Sequence, residues 1–88
     1  MPTLSLFYGI VVTMYPEKGG KHNVPHFHAT YQGHTVAMTF DGEILEGSLP
    51  KSKLKLVTAW AEIHQENLMA NWTLLSQGER TFKIDPLR

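Results

Sequence analysis

His26-Phe27-His28-Ala29-Thr30-Tyr31-Gln32-Gly33-His34-Thr35-Val36-Ala37-Met38-Thr39-Phe40-Asp41-Gly42-Glu43-Ile44-Leu45-Glu46 is the stretch that decides the fold. β-Branched and aromatic residues fill three short runs, and such residues suit a pleated, half-buried surface. Gln32-Gly33 reads as a tight turn between the first two runs. Asp41-Gly42 is the strongest hairpin signal, because a type I′ turn needs positive φ at both central positions. Strands joined by two-residue turns run antiparallel. Residues 26–31, 34–40 and 43–46 therefore read as a meander.

Working outward, Leu4 to Tyr15 is apolar and reads as one long strand, with Gly9 marking a bulge or a close backbone approach. Pro16 to Val24 is a loop of Pro, Gly, Lys, Glu, His and Asn with little to bury. On the other side, Gly47-Ser48-Leu49-Pro50 opens a helix. Pro50 fits the first helical position, where its missing N–H costs nothing. The helix is expected over about 50–77, with Gly78 closing it in a left-handed conformation. At 1.5 Å per residue it spans roughly 40 Å, more than a four-stranded sheet can cover. Part of its apolar face is expected to project beyond the sheet. The tail, 81–88, alternates apolar and polar residues and reads as an edge strand or an arm that docks on a partner.

The expected fold is α+β: a three- to four-stranded antiparallel β-meander, then one long C-terminal helix on one sheet face, then a short tail strand. Residues 1–88 are expected to form a single domain. Hydrophobic residues make up 42% of the 88, enough for one core. The chain has no cysteine, which excludes disulfides, thiolate metal sites and a Cys nucleophile. Eight basic and eight acidic residues give zero net charge, so no global field draws the chain onto nucleic acid or an acidic membrane. Low net charge also favours self-association or a protein partner. No basic leader precedes the first apolar run, and no run approaches the ~18 residues of a membrane span. A cytoplasmic protein is expected, with no membrane partner.

Rotation by 100° per residue places Leu56, Val57, Trp60, Ala61, Ile63, Leu68, Trp72, Leu74 and Leu75 on one broad arc. His64 and Asn71 fall inside it, and each needs a polar partner there. In the sheet, period two places Val36, Met38 and Phe40, with Phe27, Ala29 and Tyr31, toward the helix. The opposite face then holds Phe7, Val11, Tyr15, His26 and His28. A one-residue slip would exchange the two faces of the second strand and bring His26 and His28 to His64.

Three constellations carry chemistry. His26 and His28 set two imidazoles side by side, a candidate acid–base pair because histidine titrates near neutrality. Lys18 and Lys21 in the preceding loop would supply charge for an RNA phosphate. The same pair, with a third ligand from His22, His34 or Glu46, is a candidate site for a divalent metal, the one cofactor the sequence suggests. Ser48, Lys51 and Lys53 stand where backbone N–H groups open the helix, a candidate anion site; its bland counterpart is a solvated lysine face compensated by Glu43 and Glu46. His64 and Glu46 are either core residues or functional ones.

Four segments together resemble the small bacterial domain of unknown function 4160 (DUF4160): residues 1–10 from Met1 to Ile10, Pro25-His26-Phe27-His28 with Tyr31 and Gly33, residues 45–50 from Leu45 to Pro50, and Trp60-Ala61-Glu62-Ile63-His64. The resemblance reaches to about Trp72. The basic segment from Glu17 to Lys21 departs from a shorter, more acidic family pattern. Members of that family are often encoded beside a second small domain of unknown function, as in toxin–antitoxin operons. The resemblance thus implies a protein partner. Within the family pattern His26, His28, Glu46, Trp60 and His64 are the natural functional candidates, Trp60 reading as core. Two readings follow: an interaction or regulatory module that is half of a toxin–antitoxin-like pair or pairs with itself, and a metal-independent ribonuclease-like toxin using His26 and His28. A His-x-His metal-binding domain is a third. Whether the chain is an enzyme stays open at this level.

Overall fold

The computed structural model describes residues 3–15 and 24–88. Five strands, β1 (Thr3–Phe7), β2 (Ile10–Thr13), β3 (His26–Tyr31), β4 (His34–Thr39) and β5 (Ile44–Gly47), are followed by α1 (Lys51–Ile63) and α2 (Gln65–Ser76). The strands form one antiparallel sheet in chain order, a meander as expected but with five strands.

The extra strand comes from the apolar run 4–15, which is two strands and not one. Tyr8 and Gly9 have φ of 50° and 78°, the paired positive values of a type I′ turn. A tyrosine rarely adopts that conformation, which costs about 1–2 kcal/mol without glycine. The reversal also corrects the place of Phe7. It is not on the face opposite the helix but in the core, its ring 5.4 Å from Trp60.

Gln32-Gly33 forms the expected tight turn, and it is of type I′, with φ of 43° and 84°. Asp41-Gly42 does not. Only Gly42 has positive φ, and Thr39 N donates to Glu43 O at 2.8 Å while Gly42 N donates to Thr39 O. The loop is therefore three residues, Phe40-Asp41-Gly42, with glycine in the left-handed position. The Thr39 hydroxyl donates to the Asp41 carboxylate across it.

The face carrying Val12, Phe27, Ala29, Val36 and Met38 meets Val57, Trp60 and Ala61 of α1, and all eight are fully buried. Pro50 is the residue before α1 rather than in its first turn; its carbonyl accepts from Lys53 N and Leu54 N.

The expected single helix is two. His64 leaves the helical region (φ −112°, ψ 28°), although His64 N still donates to Trp60 O and Leu68 N to His64 O. The bend turns α2 so that Gln65 Nε2 donates to Phe40 O at 3.2 Å, and Leu68 and Asn71 become fully buried. It also leaves Ile63, expected on the core arc, 66% exposed.

The tail is neither a strand nor a free arm. Phe82 N donates to Asn71 Oδ1 (2.7 Å), Ile84 N to Leu4 O (2.8 Å), and the Trp60 indole N–H to Asp85 O (2.8 Å). Ile84 is buried. The tail thus meets the helices at Trp60 and Asn71, while Ile63 and Met69 stay exposed. Asn71, the polar residue inside the apolar arc, is satisfied there, its Nδ2 donating to Asn67 O.

Candidate functional site

The strand register assembles the site on the sheet face away from Trp60. Thr13 pairs with His28, His28 with Ala37, and Ala37 with Glu46. Residues directly opposite one another share a face, so these four form one row across four strands. His28 and Glu46 stand two strands apart, roughly 10 Å between their backbones, with only the alanine methyl between them. Phe27 and Met38, their strand neighbours, point into the core. The register thus has Phe27 toward the helices and His28 on the opposite face.

Tyr15 follows β2 and lies over this row. Its ring stacks on His28 at 4.6 Å, the planes 14° apart, and its hydroxyl is 3.2 Å from His28 Nε2. His26 is 1% exposed. Its Nδ1 is 2.8 Å from Val24 O, and a carbonyl can only accept, so Nδ1 carries the proton. In the neutral ring Nε2 then holds the lone pair. The two imidazoles meet edge to face, 5.3 Å between centres. The opposite side of His26 is closed by the Trp72 ring of α2, also at 5.3 Å. The result is an aromatic floor bearing a phenol and two imidazoles, with a carboxylate in the same row. Such a set can relay protons and hydrogen-bond a polar ligand.

The other candidates lie elsewhere. His64 packs against Trp60 at 5.5 Å, and Trp60 lies on Phe7 and Phe27 on the core side. Ser48, Lys51 and Lys53 sit where Ser48 N donates to Thr35 O, near the β3–β4 turn. Lys53 Nζ stands 5.0 Å over the Tyr31 ring, which gives that lysine an aromatic partner. Tyr31 is five residues along β3 from His26, about 16 Å. Lys53 is therefore at the other end of β3 from His26. His22, Lys18 and Lys21 lie outside the described residues. Among the described residues no group of three or more His, Asp or Glu side chains is placed to hold a metal ion, and no helix is long and apolar enough to cross a membrane.

Two participants were not legible as such. Tyr15 falls on the histidine face by residue period, but its bond to His28 depends on the chain beyond the strand end. Trp72 reads as a core residue from the helical arc, and only the bend at His64 explains why it reaches His26.

No curated protein and no solved structure matches the chain. A family model described as a domain of unknown function matches residues 9–73, from the first hairpin turn to the last turns of α2, and the chain belongs to that family, DUF4160.

Proposed function

We propose that the chain is a small interaction module, one component of a toxin–antitoxin-like pair, whose protein partner covers the sheet face opposite the helices. The supporting observation is a row on that face. Leu6 pairs with Val11, Val11 with Thr30 and Thr30 with Thr35, and Leu6 is 62% exposed. A large aliphatic group that far into solvent at one end of a row of Val and Thr side chains suits a protein contact. The pairing of family genes with a second small domain supports the same reading. Charge weighs against RNA as the primary partner. From residue 24 to 50 the chain has Asp41, Glu43 and Glu46 and no Lys or Arg, while RNA affinity needs cations along the phosphate path.

Mixing the chain with the product of its neighbouring gene is expected to give a stable complex in size-exclusion chromatography and calorimetry. Leu6→Asp should weaken it by about 30-fold, the scale of an interface hot spot, and leave the melting temperature nearly unchanged. Absence of a complex, or one indifferent to Leu6→Asp, removes the reading.

One specific observation favours a second reading, a ribonuclease-like toxin. The His26 ring is fixed by its Nδ1 donating to Val24 O, and the His28 Nε2 lies 3.2 Å from the Tyr15 hydroxyl, so two oriented imidazoles and a phenol share one sheet face. On that reading His28→Ala abolishes growth arrest on expression while the protein stays folded by circular dichroism. Arrest that persists in the folded variant rules it out.

A further inference from the structure

A second surface lies apart from both the histidine row and the Leu6 row. Where β4 ends and α2 begins, Pro25, Phe40, Asp41, Gln65, Glu66 and Met69 line a groove of about 380 Å³. Its floor is apolar: Pro25, Phe40 and a Met69 that is 46% exposed, with Val24, 44% exposed, next in the chain. Its polar end is held by Gln65, which donates to Phe40 O. Its rim is acidic on both sides, Asp41 from the hairpin loop and Glu66 from the first turn of α2.

The rim charge is part of a wider pattern. Residues 24–50 contain three acids and residues 56–78 contain Glu62 and Glu66, and neither segment has a Lys or Arg. The cations of the described chain are grouped in two other places. Lys51, Lys53 and Lys55 open α1, and Arg80, Lys83 and Arg88 belong to the tail, which leaves α2 on the Asn71 side toward β1. Among the described residues, the end of the sheet at this groove is therefore acidic over an apolar floor. Residues 16–23 include Lys18 and Lys21 but no large apolar side chain to fill that floor.

From this complementarity we infer that the groove docks a basic amphipathic segment of a protein partner, one apolar side chain seated between Phe40 and Met69 and Lys or Arg flanking it against Asp41 and Glu66. A groove at the lower end of the ligand-site range takes one or two side chains and not a whole domain. Methionine at its edge adapts to differently shaped anchors. The acidic rim sets the sign of the partner and rejects acidic segments by like-charge repulsion. This site goes beyond the pairing proposed above. A partner seated only on the Leu6 face would leave that reading intact and this one without support.

The test uses the full chain and two fluorescein-labelled synthetic peptides of equal length, one of alternating Leu and Lys blocks and one with Glu in place of every Lys. Fluorescence anisotropy is expected to show binding of the Lys peptide, weakened by added salt as partly exposed ion pairs require, and none of the Glu peptide. Amide shifts in the protein should concentrate at residues 40–42 and 65–69. The double variant Asp41→Asn, Glu66→Gln should raise Kd about fivefold, and Met69→Gln should weaken binding at unchanged salt dependence. The proposal is overturned if both peptides bind alike, if neither binds, or if shifts fall on the sheet face around Leu6 while the groove variants bind as the parent does.

Discussion

Gly47→Ala is expected to unfold this protein at temperatures where Gly33→Ala stays folded. Both glycines have left-handed φ, 78° and 84°, so both variants meet the same backbone penalty of about 1–2 kcal/mol. Their surroundings differ. A Cβ on Gly33 meets nothing within 4 Å, whereas a Cβ on Gly47 would lie 2.1 Å from the Thr35 carbonyl oxygen and 3.1 Å from its carbon. That obstacle is backbone and cannot rotate away. The carbonyl accepts from Ser48 N at 3.1 Å, and the adjoining Val36 pairs with Gly47 itself. Relief therefore means parting β5 from β4 and losing the turn that leads into α1. The added cost should exceed about 4 kcal/mol, a large share of the 5–15 kcal/mol that a domain commands. Urea unfolding of the two variants side by side checks this, and midpoints that fall together would refute the steric account.

Trp60→Ala should cost about 3–5 kcal/mol, because the surrounding side chains cannot collapse into the space. The indole is fully buried, with rings of Phe7, Phe27 and His64 within 6 Å, and its N–H holds Asp85 O. Trp60→Phe separates two contributions. It keeps an aromatic ring in the core and removes the donor together with part of the indole, so it should lose about 1–3 kcal/mol and leave Asp85 O without that partner. Amide exchange at residues 82–86 should quicken in Trp60→Phe while β3 and β4 stay protected. Unchanged tail exchange would show that the tail is held by Ile84 and Asn71 alone.

The meander between residues 26 and 47 was legible because local chemistry and burial agree there. The Gln32-Gly33 turn and the alternation of Phe27, Ala29, Val36 and Met38 point to one register. Legibility failed where tertiary contacts override local preference. Tyr8 accepts a left-handed backbone that its type disfavours, because the reversal buries Phe7 against Trp60 and brings Gly9 beside the Tyr31 ring. No Pro or Gly announces the bend at His64. What it gains, the burial of Leu68 and the reach of Gln65 to Phe40, is visible only in three dimensions. The Asp41-Gly42 pair drew a two-residue turn from sequence, but Phe40 joins the loop because its ring is needed beside Phe27 and Trp72. In the candidate site, residue period showed that His26 and His28 share a face but not which face it is, because a one-residue slip exchanges the two. The covering rings of Tyr15 and Trp72 were not readable, since each lies outside the strands that set that period.

The contact of Ile84 with Leu4 has a consequence for how the molecule is made. These residues are 80 positions apart, and Asp85 caps the indole that organises the core. On the ribosome, the meander and α1 can emerge and collapse while residues 82–85 are still inside the exit tunnel. During that interval Asn71 lacks its Phe82 bond and the outer edge of β1 is uncovered. Completion of the core therefore waits until residues 82–85 have left the tunnel. A stalled or truncated nascent chain would expose the first strand of the sheet to whatever chain lies nearest, including another copy of itself.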